Sequence, residues 1–133
     1  MAKNTVKAWH FHHKQTDWWY LGTGTVLTAL IDKREESPTY GKELKFLLGD
    51  STSTGESFTT VVKIPPGVLH ACKVLTPIAD LFYITNQYYD PEDEGRIPFD
   101  DAEIGYDWGD TAELIVSERD RVRHIPLYER TIT

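Results

Sequence analysis

The sequence predicts an all-β fold, a sandwich or barrel of short strands, on three observations. Residues with high strand preference gather in short runs between Thr5 and Thr85. Turn-forming clusters separate these runs at regular intervals, among them Gly22-Thr23-Gly24, Pro65-Pro66-Gly67 and Thr76-Pro77. No stretch of useful length repeats its apolar residues at helical period, and the chain contains no internal repeat or low-complexity segment.

Taken in order, Met1 to Asn4 is expected to fray, and Thr5 to Phe11 reads as a strand running into a histidine cluster. Trp18 to Leu21 and Thr25 to Asp32 flank two glycines whose permissive backbone suits a turn, so the pair is expected to form a hairpin. Asp32 to Lys42 is charged and turns at Ser37-Pro38-Thr39-Tyr40-Gly41, after which Glu43 to Leu48 resumes a strand. Gly49 to Ser57, rich in Ser, Thr and Gly, is expected to be a mobile surface loop. Thr59 to Ile64, Val68 to Leu75 and Ala79 to Thr85 are three further strands. Gln87 to Trp108 reads as irregular chain that covers one end of the barrel from Tyr88 onward. Glu113 to Ser117 is a last strand, and one short helical turn is expected from Pro126.

Residues 1–133 fit a single domain, which at this length buries roughly 70% of the surface its unfolded chain exposes. Aromatic residues make up 12% of the chain, and such rings serve both as barrel wall and as stacking surfaces. A formal charge of −7 argues against a general nucleic-acid binder, which needs an excess of Lys and Arg. The lone Cys72 has no intramolecular disulfide partner and reads as a small buried group. With no apolar run near the roughly 20 residues of a membrane span and no signal-peptide pattern, the expected location is cytoplasmic.

The chemistry concentrates between His10 and Gly24. In an extended strand His10 and His12 share a face while His13 takes the other, Asp17 follows shortly after, and His70 arrives just after the Pro65-Pro66-Gly67 turn. His10, His12, Asp17 and Gly24 resemble the first motif of the cupin superfamily, with Asp where Glu is usual. Pro65, Pro66, Gly67 and His70 resemble the second, with Val74 in place of its Asn. That resemblance implies a cupin-type jelly-roll barrel of two antiparallel sheets. It also offers a divalent metal ion bound by His10, His12, Asp17 and His70, because neutral imidazoles and an ionised carboxylate suit such ions.

A more specific resemblance covers nearly the whole chain, to the dTDP-4-dehydrorhamnose 3,5-epimerases, metal-independent members of the same superfamily. It is carried by Lys7-Ala8-Trp9-His10-Phe11, the Ser37 to Gly41 loop, Phe82 to Tyr89, Asp90-Pro91-Glu92, Asp107-Trp108 and Ser117-Glu118-Arg119-Asp120. The resemblance implies His10 as the base that removes a proton beside a C4 ketone, Asp120 as the carboxylate that orients it, and Tyr83 as the acid on the opposite sugar face. It implies Lys7, His70 and Tyr89 as substrate-binding residues, with Lys7 near the phosphates and His70 a donor to the enolate. No cofactor is expected on this reading, and the partner is a nucleotide-sugar substrate.

Asp17 divides the readings, since it falls where the family has a Lys that helps stabilise the oxyanion. Three functions stay open: an isomerase of a dTDP-4-keto-6-deoxyhexose, a metal-dependent cupin, and a non-catalytic sugar-binding module. The chain reads as a short relative without the family's N-terminal strands, and a homodimer is expected to cover its exposed strand edges.

Overall fold

The computed structural model describes residues 1–49 and 61–126. The expected loop beyond Gly49, the start of the Thr59 to Ile64 strand and the turn after Pro126 lie outside the described residues. The described elements are strands β1 (Thr5–His12), β2 (Asp17–Thr23), β3 (Thr25–Asp32), β4 (Glu43–Gly49), β5 (Val61–Ile64), β6 (Val68–Val74), β7 (Asp80–Thr85), β8 (Glu94–Arg96) and β9 (Ile115–Val116), with short 3-10 turns at Thr111–Glu113 and Glu118–Arg121.

The strands form a cupin-type jelly roll of two sheets. One runs β4-β3-β6-β1-β8, and the other runs β5-β2-β7. Pairing is antiparallel throughout except that β9 joins β1 in parallel, through Thr5 opposite Ile115 and Val6 opposite Val116. Several sequence expectations change. Met1 to Asn4 does not fray: the Met1 amino group donates to the Ala79 carbonyl at 2.8 Å and the Asn4 N–H to the Val74 carbonyl at 2.9 Å. The Gln87 to Trp108 stretch is not wholly irregular, because Glu94–Arg96 adds a strand to β1. Nor do β2 and β3 form a hairpin: β2 pairs with β5 and β7, whereas β3 pairs with β4 and β6. Gly24, at φ +85°, carries the chain from one sheet to the other, and a Cβ there would lie 2.3 Å from the Ile78 carbonyl oxygen.

β6 shows why the interior holds a histidine. It is buried almost throughout because it is covered on both faces. Leu69 and Ala71 pack outward under Trp9, Phe99 and Trp108. Val68, Cys72 and Val74 point inward against Trp19, Ile64 and Ala79 of the opposite wall. His70 shares their parity and enters the space between the sheets. Phe99 to Trp108 therefore caps the outer face of the large sheet, with the Trp108 indole N–H donating to the Phe99 carbonyl at 2.8 Å, and does not cover the barrel end as expected.

Candidate active site

Strict strand alternation would put Lys7 and His10 on opposite faces. In the structure Lys7 pairs with Cys72 and His10 with His70, so three steps on β1 match two on β6, the mark of a β-bulge. Val6, Ala8, Trp9 and Phe11 consequently all face the outer core, and Lys7, His10 and His12 all line the same inner cavity.

The bulge also prepares a seat for a carboxylate. Asp120, buried in the Glu118–Arg121 turn, accepts the Ala8 backbone N–H at 3.2 Å through Oδ2. Its Oδ1 lies 2.6 Å from His10 Nε2. A carboxylate accepts, so the neutral ring carries its proton on Nε2 and leaves Nδ1 as the basic nitrogen. That Nδ1 lies 3.8 Å from Oε1 of Glu94, a largely buried carboxylate also facing Arg96 and Arg119.

Asp17 is fixed from the preceding loop. Asp93 accepts the backbone N–H groups of His13, Lys14 and Gln15 at 3.0–3.1 Å, and Asn86 Oδ1 accepts that of Thr16 at 2.9 Å. The Gln15 amide then donates to Asp17 Oδ1 at 2.6 Å, while Oδ2 faces His70 Nε2 at 4.0 Å. His70 Nδ1 sits 3.2 Å from the Val68 carbonyl, which can only accept, so Nδ1 carries the proton. Burial first, and then the neighbouring His10 and His12, push its pKa well below the ordinary imidazole value. A neutral His70 offers a lone pair at Nε2; in this tautomer it is an acceptor and not the enolate donor expected from the sequence.

The cavity measures about 300 Å³. Its large-sheet wall carries Lys7, His10, His12 and His70, and its small-sheet wall carries Asp17, Trp19 and Tyr83. Trp19 and Tyr83 are direct cross-strand partners, which sets both on the inward face of β2 and β7. Tyr89 stands at the mouth, 76% exposed. All the residues predicted for catalysis and substrate binding thus line one cavity or, for Asp120, sit directly behind it. The four-residue metal set does not assemble as expected, because Asp120 holds the His10 ring. His12, Asp17 and His70 remain together, with one ligand atom from each within 4.8 Å of the others. Sequence reasoning passed over Gln15, Glu94 and Arg119, which also line the cavity. Only the strand at Glu94–Arg96, hidden in a charged and turn-rich stretch, would have pointed to Glu94.

Fold and cavity together define a cupin-type barrel with an imidazole–carboxylate pair on one wall and a tyrosine on the other. A family model for dTDP-4-dehydrorhamnose 3,5-epimerase matches residues 1–127. The chain belongs to that family. It is 40% identical over 107 residues to the spore coat polysaccharide biosynthesis protein SpsL of Bacillus subtilis, covering 77% of this chain and 66% of that one. The crystal structure of dTDP-4-dehydrorhamnose 3,5-epimerase from Elizabethkingia anophelis superposes with a TM-score of 0.78 at 25% identity, over 98% of this chain and 69% of the other. A Legionella pneumophila dTDP-6-deoxy-D-glucose-3,5-epimerase, crystallised with dTDP-4-keto-L-rhamnose, gives 0.72 at 28% identity, over 90% and 61%. The chain spans from 66% down to 35% of the length of curated relatives it matches.

Proposed function

We propose that the chain is a nucleotide-sugar isomerase that epimerises a dTDP-4-keto-6-deoxyhexose beside its C4 ketone. The observation that carries this reading is the placement of the His10–Asp120 pair and Tyr83 on opposite walls of one cavity. His10 Nδ1 takes the proton from the carbon next to the ketone, and the C–H electron pair moves onto the carbonyl oxygen as an enolate. Asp120 holds the ring and offsets the imidazolium charge, and Glu94, 3.8 Å from Nδ1, faces the proton as it arrives. Tyr83 then delivers its phenolic proton to the opposite face of the carbon, which inverts the centre, and solvent restores both groups. A proton removed and returned on the same side would change nothing.

Lys7 and Arg119 are the cations lining the cavity and take the phosphates; Lys7 does so as a point charge without the bidentate fork of an Arg. Tyr89 at the mouth stacks on the ligand, a role its exposure and ring favour. A homodimer is supported by the outer face of the small sheet, where Val61, Phe82 and Ile84 are exposed and Tyr20 stacks on Phe82 at 5.2 Å. The proposed location is the cytoplasm; none of the described helices is long and apolar enough to cross a membrane. Incubation with a dTDP-4-keto-6-deoxyhexose in D2O tests the reading: solvent deuterium should enter at C3, C5 or both, with inversion, and a sugar recovered with all its protons contradicts it.

A further inference from the structure

We propose that Asp17, at the start of β2, determines which sugar the cavity accepts, its Oδ2 taking a hydrogen bond from the substrate hydroxyl on C3, beside the ketone. The inference rests on the isomerase reading and narrows its substrate to keto-sugars with that hydroxyl free. Three observations carry it. Asp17 is only 5% exposed, yet it lines the cavity from the small-sheet wall. Its Oδ1 is committed to the Gln15 amide at 2.6 Å, in a loop that Asp93 and Asn86 pin through four backbone N–H groups. Its Oδ2 has no hydrogen-bond donor among the described residues: it faces His70 Nε2 at 4.0 Å, and the Val68 carbonyl holds the His70 proton on Nδ1.

A carboxylate oxygen in that position takes its donor from the ligand, and hydrogen bonds to ionised acceptors are the strong ones. Because Gln15 fixes the other oxygen, Oδ2 is aimed before the ligand arrives and little ordering is left to the binding step. On a 4-keto-6-deoxyhexose joined to its nucleotide through C1, the O–H donors of the sugar are the hydroxyls on C2 and C3, while C5 carries a methyl group and the ring oxygen. His10 works on a carbon next to C4, and its ring lies 6.1 Å from that of His70, which in turn faces Asp17. A sugar with C4 at His10 therefore brings the C3 hydroxyl toward Oδ2, ahead of the more distant one on C2. The same contact resolves the sign of the charge. A bare carboxylate beside the ketone opposes an enolate, whereas one that holds a hydroxyl has its charge drawn onto the O–H.

The test measures solvent deuterium taken up beside the ketone, with the full chain, from three substrates: a dTDP-4-keto-6-deoxyhexose, its 3-deoxy counterpart and its 2-deoxy counterpart. Wild type should favour the parent sugar over the 3-deoxy sugar by about 10²-fold in kcat/KM, because the analogue leaves a buried carboxylate oxygen without its donor. The 2-deoxy sugar should stay within about ten-fold of the parent. Asp17→Leu, of similar size but with no acceptor, should lower kcat/KM for the parent far more than for the 3-deoxy sugar, so that the preference shrinks about ten-fold or more. In Asp17→Asn the Gln15 amide keeps the carbonyl oxygen and turns the amide nitrogen to the cavity, and the preference should shrink likewise. Circular dichroism establishes that the variants are folded; if neither is, the wild-type comparison of the three sugars decides alone.

Uptake from the 3-deoxy sugar as efficient as from the parent, or a loss with the 2-deoxy sugar as large as with the 3-deoxy sugar, overturns the assignment and leaves the isomerase. So does an Asp17→Leu loss that is equal for the parent and 3-deoxy sugars, which is what a purely structural role would give. Failure of wild type to take up deuterium from any of the three sugars overturns the isomerase reading and this inference with it.

Discussion

His10 Nε2 lies 2.6 Å from Asp120 Oδ1, across 110 residues of sequence, and the same Asp120 accepts the Ala8 N–H exposed by the bulge two residues earlier. One buried carboxylate therefore fixes both the tautomer of the ring and the backbone that aims it. Asp120→Asn keeps the shape but offers an amide where the ring needs an acceptor for its N–H. Turnover should fall about 10²-fold or more with a smaller change in KM, because the imidazolium loses its counter-charge. Steady-state kinetics check this; an unchanged kcat contradicts it.

Tyr83 faces His10 from the other wall, so removing its hydroxyl should separate the two halves of the reaction. Tyr83→Phe should still wash deuterium into the substrate, because His10 is intact, but should return it to the original face and lose most of the inverted product. NMR of recovered sugar distinguishes the two fates. Full inversion in Tyr83→Phe would assign the acid elsewhere.

How much of this was legible in the sequence depends on parity. Period-2 alternation placed His10 with His12 and against His13, and His13 indeed lies away from the cavity beside Phe11, with ring centroids 5.5 Å apart. The bulge at Ala8-Trp9 was not legible: nothing in Lys7-Ala8-Trp9-His10 announces an extra residue, since its cause lies in Asp120 and Ile97, distant in sequence. Strand existence was well predicted because β-rich runs and Pro/Gly breaks are local. Pairing was not, because Gly22-Thr23-Gly24 suits a hairpin and a sheet-to-sheet crossing equally well. Asp120, in a run of charges, was reachable only through resemblance; Glu94 belongs to a three-residue strand too short to show a period.

Cys72 lies in the buried core of β6 and borders the cavity beside Lys7. Burial pushes its thiol up to about 11, with Lys7 pulling weakly the other way. The thiolate fraction at neutral pH is therefore small, and the folded protein should react with a disulfide reagent about 10²-fold or more slowly than the denatured chain. Equal rates would mean that this part of the barrel opens readily.

Asp32 ends β3 and ties down the Ser37 to Gly41 turn, accepting from the Arg34 guanidinium and backbone at 2.9 Å and from the Ser37 and Thr39 hydroxyls at 2.6 Å. The Arg34 bond, followed by those hydroxyls and the Arg34 N–H, outweighs burial and holds its pKa far below the usual carboxylate range. A folded pKa below the unfolded one contributes stability above the unfolded value, near 4, and loses it as pH falls toward the folded pKa. Asp32→Asn should therefore lower Tm at pH 7, and the gap to wild type should narrow below about pH 4. Thermal melts of both proteins from pH 7 to pH 3 check it, and a gap that widens in acid contradicts it.

The central claim is that His10, held by Asp120, exchanges the proton beside a ketone, and proton NMR in D2O reads that step directly. With a dTDP-4-keto-6-deoxyhexose, wild type should lose the C3 or C5 proton signal, and His10→Asn should do so about 10²–10⁴-fold more slowly with its fold intact. Wash-in by His10→Asn at the wild-type rate would contradict the account.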